Sequence, residues 1–178
     1  MDAGKPLTPT TQRLFLALWP DDGVRSQLAA HVDQWQWPAG CTRYAPEDWH
    51  VTLHFIGDVT TDKRAAIAAG AAVPFQPFDL ALDQPRLWAR ELAVLCASDV
   101  PVALKSLQER LGQALRAPEL ALLPDTRPYM PHLTLARHAG AARVPSASAP
   151  VQWRVQGYAL VVSTGRRTPR YEVIQSYH

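Results

Sequence analysis

Two short stretches of this chain share one build: His50-Val51-Thr52-Leu53 and His132-Leu133-Thr134-Leu135. They lie 82 residues apart in a chain of 178, so each half carries one. A β-strand points residues i and i+2 the same way and the residues between them the opposite way. Each stretch therefore reads as a strand with His and Thr on one face and two aliphatic residues entering a core on the other. A half-buried strand repeated at half-chain spacing constrains the chain towards a duplicated fold, with both His-Thr pairs on the exposed faces.

The flanking residues fill in both halves. Arg13–Leu18 is short, apolar and closed by Trp19-Pro20, which predicts a buried strand. Asp21 and Asp22 open a helix whose Val24, Leu28, Val32 and Trp35 recur at helical spacing, ended by Pro38 and Gly40. A strand from about Trp49 to Ile56 follows, with Gly57-Asp58 as its turn and Thr61 capping an alanine-rich helix through Ala72. Phe78–Trp88 and Glu91–Ala97 read as two strands joined by a turn. Asp99 and Pro101 then open an amphipathic helix with Leu104, Leu107, Leu111 and Leu115 on one face. After the strand at His132–Ala136 come a surface loop at Gly140–Pro150 and closing strands near Trp153–Ser163 and Tyr171–Ser176. The order is that of a duplicated α+β unit, without any exact sequence repeat. Met1–Gln12 reads as a flexible tail ahead of one two-lobed domain over 1–178.

Composition narrows the function. Hydrophobic residues at 47% and charged ones at 19% describe a globular chain rather than a disordered one. Two cysteines, Cys41 and Cys96, exclude a disulfide framework and a multi-cysteine zinc module. A net charge of +2 is too small for a non-specific nucleic-acid coat. Only Lys5, Lys63 and Lys105 among the 18 basic residues are lysines; the arginine excess suits phosphate recognition and equally accompanies an alanine- and proline-rich composition. No apolar run approaches the roughly 20 residues of a membrane span, and the polar start lacks a secretory signal. The expected setting is a reducing cytoplasm, with no membrane partner and a monomeric state.

Two histidines and two threonines facing one cleft make a chemical tool. Imidazole titrates near neutrality, so one ring can accept a proton while the other donates one. Threonine hydroxyls donate hydrogen bonds to non-bridging phosphate oxygens. Together they equip a site to break a P–O bond by in-line attack, with no metal or other cofactor. A metal reading competes, since His50 and His54 are four residues apart. It lacks the glutamate of the zinc-protease motif, because Val51 stands there, and the β-branched context favours a strand. On a regular strand His54 shares the face of His50, as a cleft-edge or packed residue. His31, His138 and His178 read as structural or exposed. No Gly-rich phosphate loop with its lysine is present, which disfavours an ATP-driven ligase.

The run Pro46-Glu47-Asp48-Trp49-His50-Val51-Thr52-Leu53-His54-Phe55-Ile56-Gly57 resembles the first signature of the bacterial RNA 2′,3′-cyclic phosphodiesterases. This is the LigT/ThpR family, also called 2′-5′ RNA ligases, of the two-histidine phosphoesterase superfamily. Arg127-Pro128-Tyr129-Met130-Pro131-His132-Leu133-Thr134-Leu135-Ala136-Arg137 is similar to its second signature. The opening Arg13–Pro20 and closing Tyr171-Glu172-Val173 resemble the family too. The resemblance implies a bilobal α+β fold with two antiparallel sheets facing a central cleft and helices outside. It implies metal-independent hydrolysis of an RNA-terminal 2′,3′-cyclic phosphate, or of small cyclic nucleotides, to a 2′-phosphomonoester. His50 would then be the proton donor, His132 the proton acceptor, and Thr52 and Thr134 the phosphate holders; the two motifs look alike, so the residues themselves do not assign acid and base. Arg127 reads as a phosphate contact or as half of an ion pair. Arg137, an odd number of positions from His132, reaches the cleft only if the strand twists or bulges. Tyr129 and Phe15 can stack on a nucleobase or pack, the core role being favoured for Phe15. The alternatives are reversible 2′-5′ ligation at the same site and a non-catalytic module that binds RNA ends or nucleotides.

Overall fold

The computed structural model of the chain describes residues 10–89, 91–117 and 128–178. Its strands are β1 (Thr11–Leu18), β2 (Thr42–Arg43), β3 (Val51–Thr60), β4 (Phe78–Leu82), β5 (Gln84–Trp88), β6 (Leu92–Cys96), β7 (His132–Arg137), β8 (Val151–Val155), β9 (Tyr158–Ser163) and β10 (Tyr171–Tyr177). The helices are α1 (Asp22–Val32), α2 (Arg64–Gly70) and α3 (Val102–Leu115), with 3-10 turns at Pro46–Asp48 and Thr61–Lys63.

All strand pairs are antiparallel. The main path runs β10-β9-β1-β3-β7-β6-β5, with β2 also paired to β7, while β4 and β8 form a separate two-stranded sheet. At the centre, β3 and β7 share a single pair, Val51 with Leu133. The large sheet therefore divides into two four-stranded halves that meet along the two His-x-Thr strands. This is the α+β, two-sheet architecture that the resemblance implied, with the halves joined at one point.

The hydrophobic pattern explains the layering. Leu14, Leu16 and Leu18 of β1 enter the main core, while Phe15 and Ala17 pack on the other face with Ala159 and Val161. On α3, Leu104, Leu107, Leu111 and Leu115 are all buried, as their spacing predicts. Burying such a leucine is worth about 2 kcal/mol, which outweighs the missing side-chain cap at Pro101. Asp21 caps α1 by accepting the Val24 amide at 2.9 Å. His31 is buried and takes the Trp35 indole N–H at 3.2 Å, a structural role. Both cysteines are free. No helix among the described residues is long and apolar enough to cross a membrane.

Several boundaries differ from the sequence reading. Thr11 and Gln12 belong to β1, so the strand takes in the end of the expected tail. α1 stops at Val32, and Trp35 reaches the core from the turn beyond it. Gly57-Asp58 is no turn: β3 continues to Thr60 because Gly57, at φ +90°, accommodates a bulge opposite Leu14, and Asp58 pairs with Arg13 across the strands. Thr61 lies in a 3-10 turn, and α2 starts at Arg64 without a side-chain cap. Phe78–Trp88 is two strands parting at Asp83, whose carboxylate takes the Ser98 amide at 2.8 Å and its hydroxyl. Trp153–Ser163 likewise divides at Gln156-Gly157 between the small and large sheets.

Candidate active site

Each catalytic candidate is seated by the same local device. His50 directly precedes β3, and its Nδ1–H donates to the Asp48 carbonyl at 2.7 Å. His132 begins β7, and its Nδ1–H donates to the Met130 carbonyl at 2.9 Å. In both, the carbonyl two residues upstream holds the ring, fixing the tautomer whose Nε2 carries the lone pair. A cavity of about 670 Å³ lies between the halves, lined by His50, Thr52, His132 and Thr134. The sequence reading brought these four side chains together, and the structure does the same.

Both motif strands bulge directly after the threonine. In β3, Ala17 faces Thr52 and Leu16 faces His54, leaving Leu53 as the extra residue. In β7, Val94 faces Thr134 and Ala93 faces Ala136, leaving Leu135 as the extra one. A bulge re-aims every later side chain on its strand. His54 is thereby set opposite the fully buried Leu16 and towards α3, and it lines the edge of the same cavity as His50. Its Nε2–H donates to the Gln108 carbonyl at 2.6 Å, and its ring lies over Gly112, where a Cβ would stand only 3.1 Å from Cε1. In β7 the bulge buries both Leu135 and Ala136 and carries Arg137 round to the cleft, the condition its odd spacing demanded. Arg137 donates through Nε to the Tyr44 hydroxyl at 2.6 Å.

The two rings have different surroundings. Phe15, Trp19 and Tyr171 enclose His50, at centroid distances of 4.9, 5.7 and 5.0 Å. Burial in this cage lowers its pKa to about 4, with a further push from the nearby His132 and a partial offset from the Asp48 carbonyl. Among the described residues, the aromatic ring against His132 is Trp88, at 4.4 Å. Its pKa is also lowered by burial, against the bond to Met130. Asp48 is itself a node. Its carboxylate, 1% exposed, accepts the Arg170 amide at 2.9 Å and faces the Arg170 guanidinium at 3.8 Å. Burial raises its pKa, opposed by the bonds to Arg170. The guanidinium of Arg170 also covers the Tyr44 ring at 4.9 Å.

The remaining candidates fall out as follows. Tyr129 lines the cleft, but its hydroxyl donates to the Thr52 carbonyl at 3.2 Å, tying the approach to β7 onto β3. Phe15 is 4% exposed and forms the floor under His50, in keeping with its core reading. Arg127 lies outside the described residues. Among the described residues no group of three or more His, Cys, Asp or Glu is placed to hold a metal ion.

Sequence reasoning gave no role to Trp19, Tyr44, Asp48, Trp88 or Tyr171: Asp48 lies within the first signature and Trp19 and Tyr171 within the flanking runs that resemble the family, while Tyr44 and Trp88 carry no local motif. It also passed over Phe55, which lines the cleft at 60% exposure. Only the β3 bulge brings Phe55 there; its signal was a large aromatic three positions after the motif threonine, matched by Arg137 in the other copy.

The sequence profile of the 2′-5′ RNA ligase superfamily matches residues 24–167. An RNA 2′,3′-cyclic phosphodiesterase of Escherichia coli is 34% identical over 135 residues, covering 74% of each chain. One of Thermus thermophilus is 28% identical over 181 aligned positions, covering 93% of this chain and 89% of the relative. The crystal structure of E. coli LigT complexed with 3′-AMP superposes with a TM-score of 0.82 at 28% identity, covering 94% of this chain and 97% of LigT. With a profile match across most of its length and the paired strands in place, this chain belongs to the 2′-5′ RNA ligase superfamily.

Proposed function

We propose that this chain is an RNA 2′,3′-cyclic phosphodiesterase that opens a terminal cyclic phosphate to a 2′-phosphomonoester without a metal. The observation that carries the reading is the matched pair of imidazoles, each with Nδ1 fixed by a backbone carbonyl and Nε2 left for the cleft. Relatives that bear this activity in their names, and the 3′-AMP held by E. coli LigT, support the substrate class. The cleft draws residues from both halves of the sheet, which supports one two-lobed domain.

The roles follow from the geometry together with the resemblance. His132 Nε2 accepts a proton from water as the water oxygen attacks phosphorus. The P–O3′ bond breaks opposite, and His50 delivers its proton to the departing 3′ oxygen. One P–O bond forms and one breaks, with one proton taken up and one released. Thr52 and Thr134 donate hydrogen bonds to the non-bridging oxygens, and Arg137 supplies the cationic charge. Phe55 offers a face for the terminal base. His50, the harder ring to protonate in the empty cleft, gains its proton when the anionic phosphate arrives beside it.

The test is a short RNA ending in 2′,3′-cyclic phosphate, incubated in EDTA, with the product end identified chromatographically. Wild type should yield a 2′-phosphate, and His50→Ala and His132→Ala none. Thr52→Ala and Thr134→Ala should each lose about 10- to 100-fold, as hydrogen bonds to a charged group are worth about 1.5–3 kcal/mol. A 3′-phosphate, or no product from folded wild type, would overturn the reading.

A further inference from the structure

We infer that the β9–β10 hairpin holds the RNA chain upstream of the reacting end, Arg166 and Arg167 pairing with its phosphodiesters. This rests on the cleft being an RNA-end site.

The hairpin is placed for that role. Ser163 and Tyr171, paired across β9 and β10, both line the cleft, so the segment 164–170 leaves from its rim and returns to it. The base of the loop is fastened. The Thr164 amide donates to the Arg170 carbonyl at 2.9 Å, and the Thr164 hydroxyl donates to the Pro169 carbonyl at 2.7 Å. Arg170 is anchored on Asp48, the residue whose carbonyl seats His50. The tip is therefore held in fixed relation to the catalytic ring.

The tip's chemistry is that of a phosphate binder. Arg166 and Arg167 are exposed, and their guanidinium groups have no hydrogen-bond or ion-pair partner among the described residues. No acidic residue lies between Ser163 and Tyr171. Arg13, on β1 opposite Ser163, differs in being occupied by Asp58 at 3.1 Å. Two unpaired guanidinium groups continuous with a cleft lined by Phe55 and Trp88 combine charge for the backbone with aromatic faces for bases. A protein partner would need a buried apolar anchor, and residues 164–170 have no large apolar side chain.

The experiment compares wild type with the Arg166→Ala/Arg167→Ala double variant. Fluorescence anisotropy measures Kd for a labelled single-stranded RNA of about eight nucleotides over a range of salt. In parallel, turnover of a 2′,3′-cyclic mononucleotide is followed. The variant should bind the oligonucleotide about tenfold more weakly at low salt, and its log Kd against log salt should flatten by about 1.4, the value for two lost phosphate contacts. Arg166→Lys/Arg167→Lys should recover most of both effects, and mononucleotide turnover should be unchanged throughout. Unchanged oligonucleotide affinity and slope, or an equal loss on the mononucleotide, would overturn the inference. Wild type that binds the oligonucleotide without opening a cyclic end would sink the proposed activity and leave the hairpin result standing.

Discussion

Replacing His50 with asparagine should change how stability depends on pH as well as abolish turnover. Asparagine keeps a side-chain N–H near the position that donates to the Asp48 carbonyl, and it does not titrate. In the folded protein the His50 pKa falls from 6.5 to about 4, because the ring sits among Phe15, Trp19 and Tyr171. As pH drops below 6.5, the unfolded chain binds a proton at His50 that the folded protein refuses until about pH 4. The unfolded state then holds more protons, so acid destabilises the wild type through this residue. Integrating the two titrations gives a loss of about 2 kcal/mol by pH 5 and about 3 kcal/mol by pH 4, relative to neutral pH. These are upper figures, since the ring is only partly buried and water reaches it from the cleft. Against a typical total of about 5–15 kcal/mol, such a loss is readily measured. Urea unfolding at half-unit steps from pH 4 to 7.5 should show the wild-type curve falling more steeply than that of His50→Asn. Groups distant from His50 titrate alike in both proteins and cancel in the difference, while His132, which faces His50, adds a smaller contribution of its own. Parallel curves, agreeing within about 0.5 kcal/mol across that window, would refute the claim that burial holds this imidazole neutral.

Saturating inorganic phosphate should raise the His50 pKa, seen as an upward shift in its imidazole NMR titration; an unmoved titration would separate the ring from the anion site. Asp48→Ala should lower stability by about 2 kcal/mol at pH 7, because it leaves the Arg170 amide without its acceptor behind His50; a melting transition matching wild type would mean that this bond contributes nothing net. Gly157→Ala should cost more than about 2 kcal/mol, since the new Cβ would lie against the Tyr177 carbonyl and 2.8 Å from His178 Nδ1; wild-type stability would show that the end of β10 yields freely.

The elements most legible in the sequence were those whose burial repeats locally. The leucine stripe of α3, the alternation in both His-x-Thr strands and the Asp21 cap of α1 each depend on residues a few positions apart. Turns governed by distant partners were not legible. Gly57-Asp58 reads as a turn by composition, yet Arg13 on the neighbouring strand holds Asp58 within the sheet. Phe78–Trp88 reads as one strand, and only the bond from Ser98 to Asp83 marks where it passes between sheets.

The candidate site divides in the same way. The sequence alone determined that His50, Thr52, His132 and Thr134 share exposed strand faces, because strand periodicity is a local property of the backbone. Tertiary structure decided everything set by register and by packing between distant segments. The bulges after Thr52 and Thr134 set His54 against α3 at the cleft edge and brought Phe55 and Arg137 to the cleft. The aromatic cage gathered from β1, the turn after it and β10 made His50 the harder imidazole to protonate, although the two motifs are nearly the same in sequence. A bulge depends on the partner strand and a pKa on the local dielectric, and neither is a property of the tetrapeptide that carries the histidine.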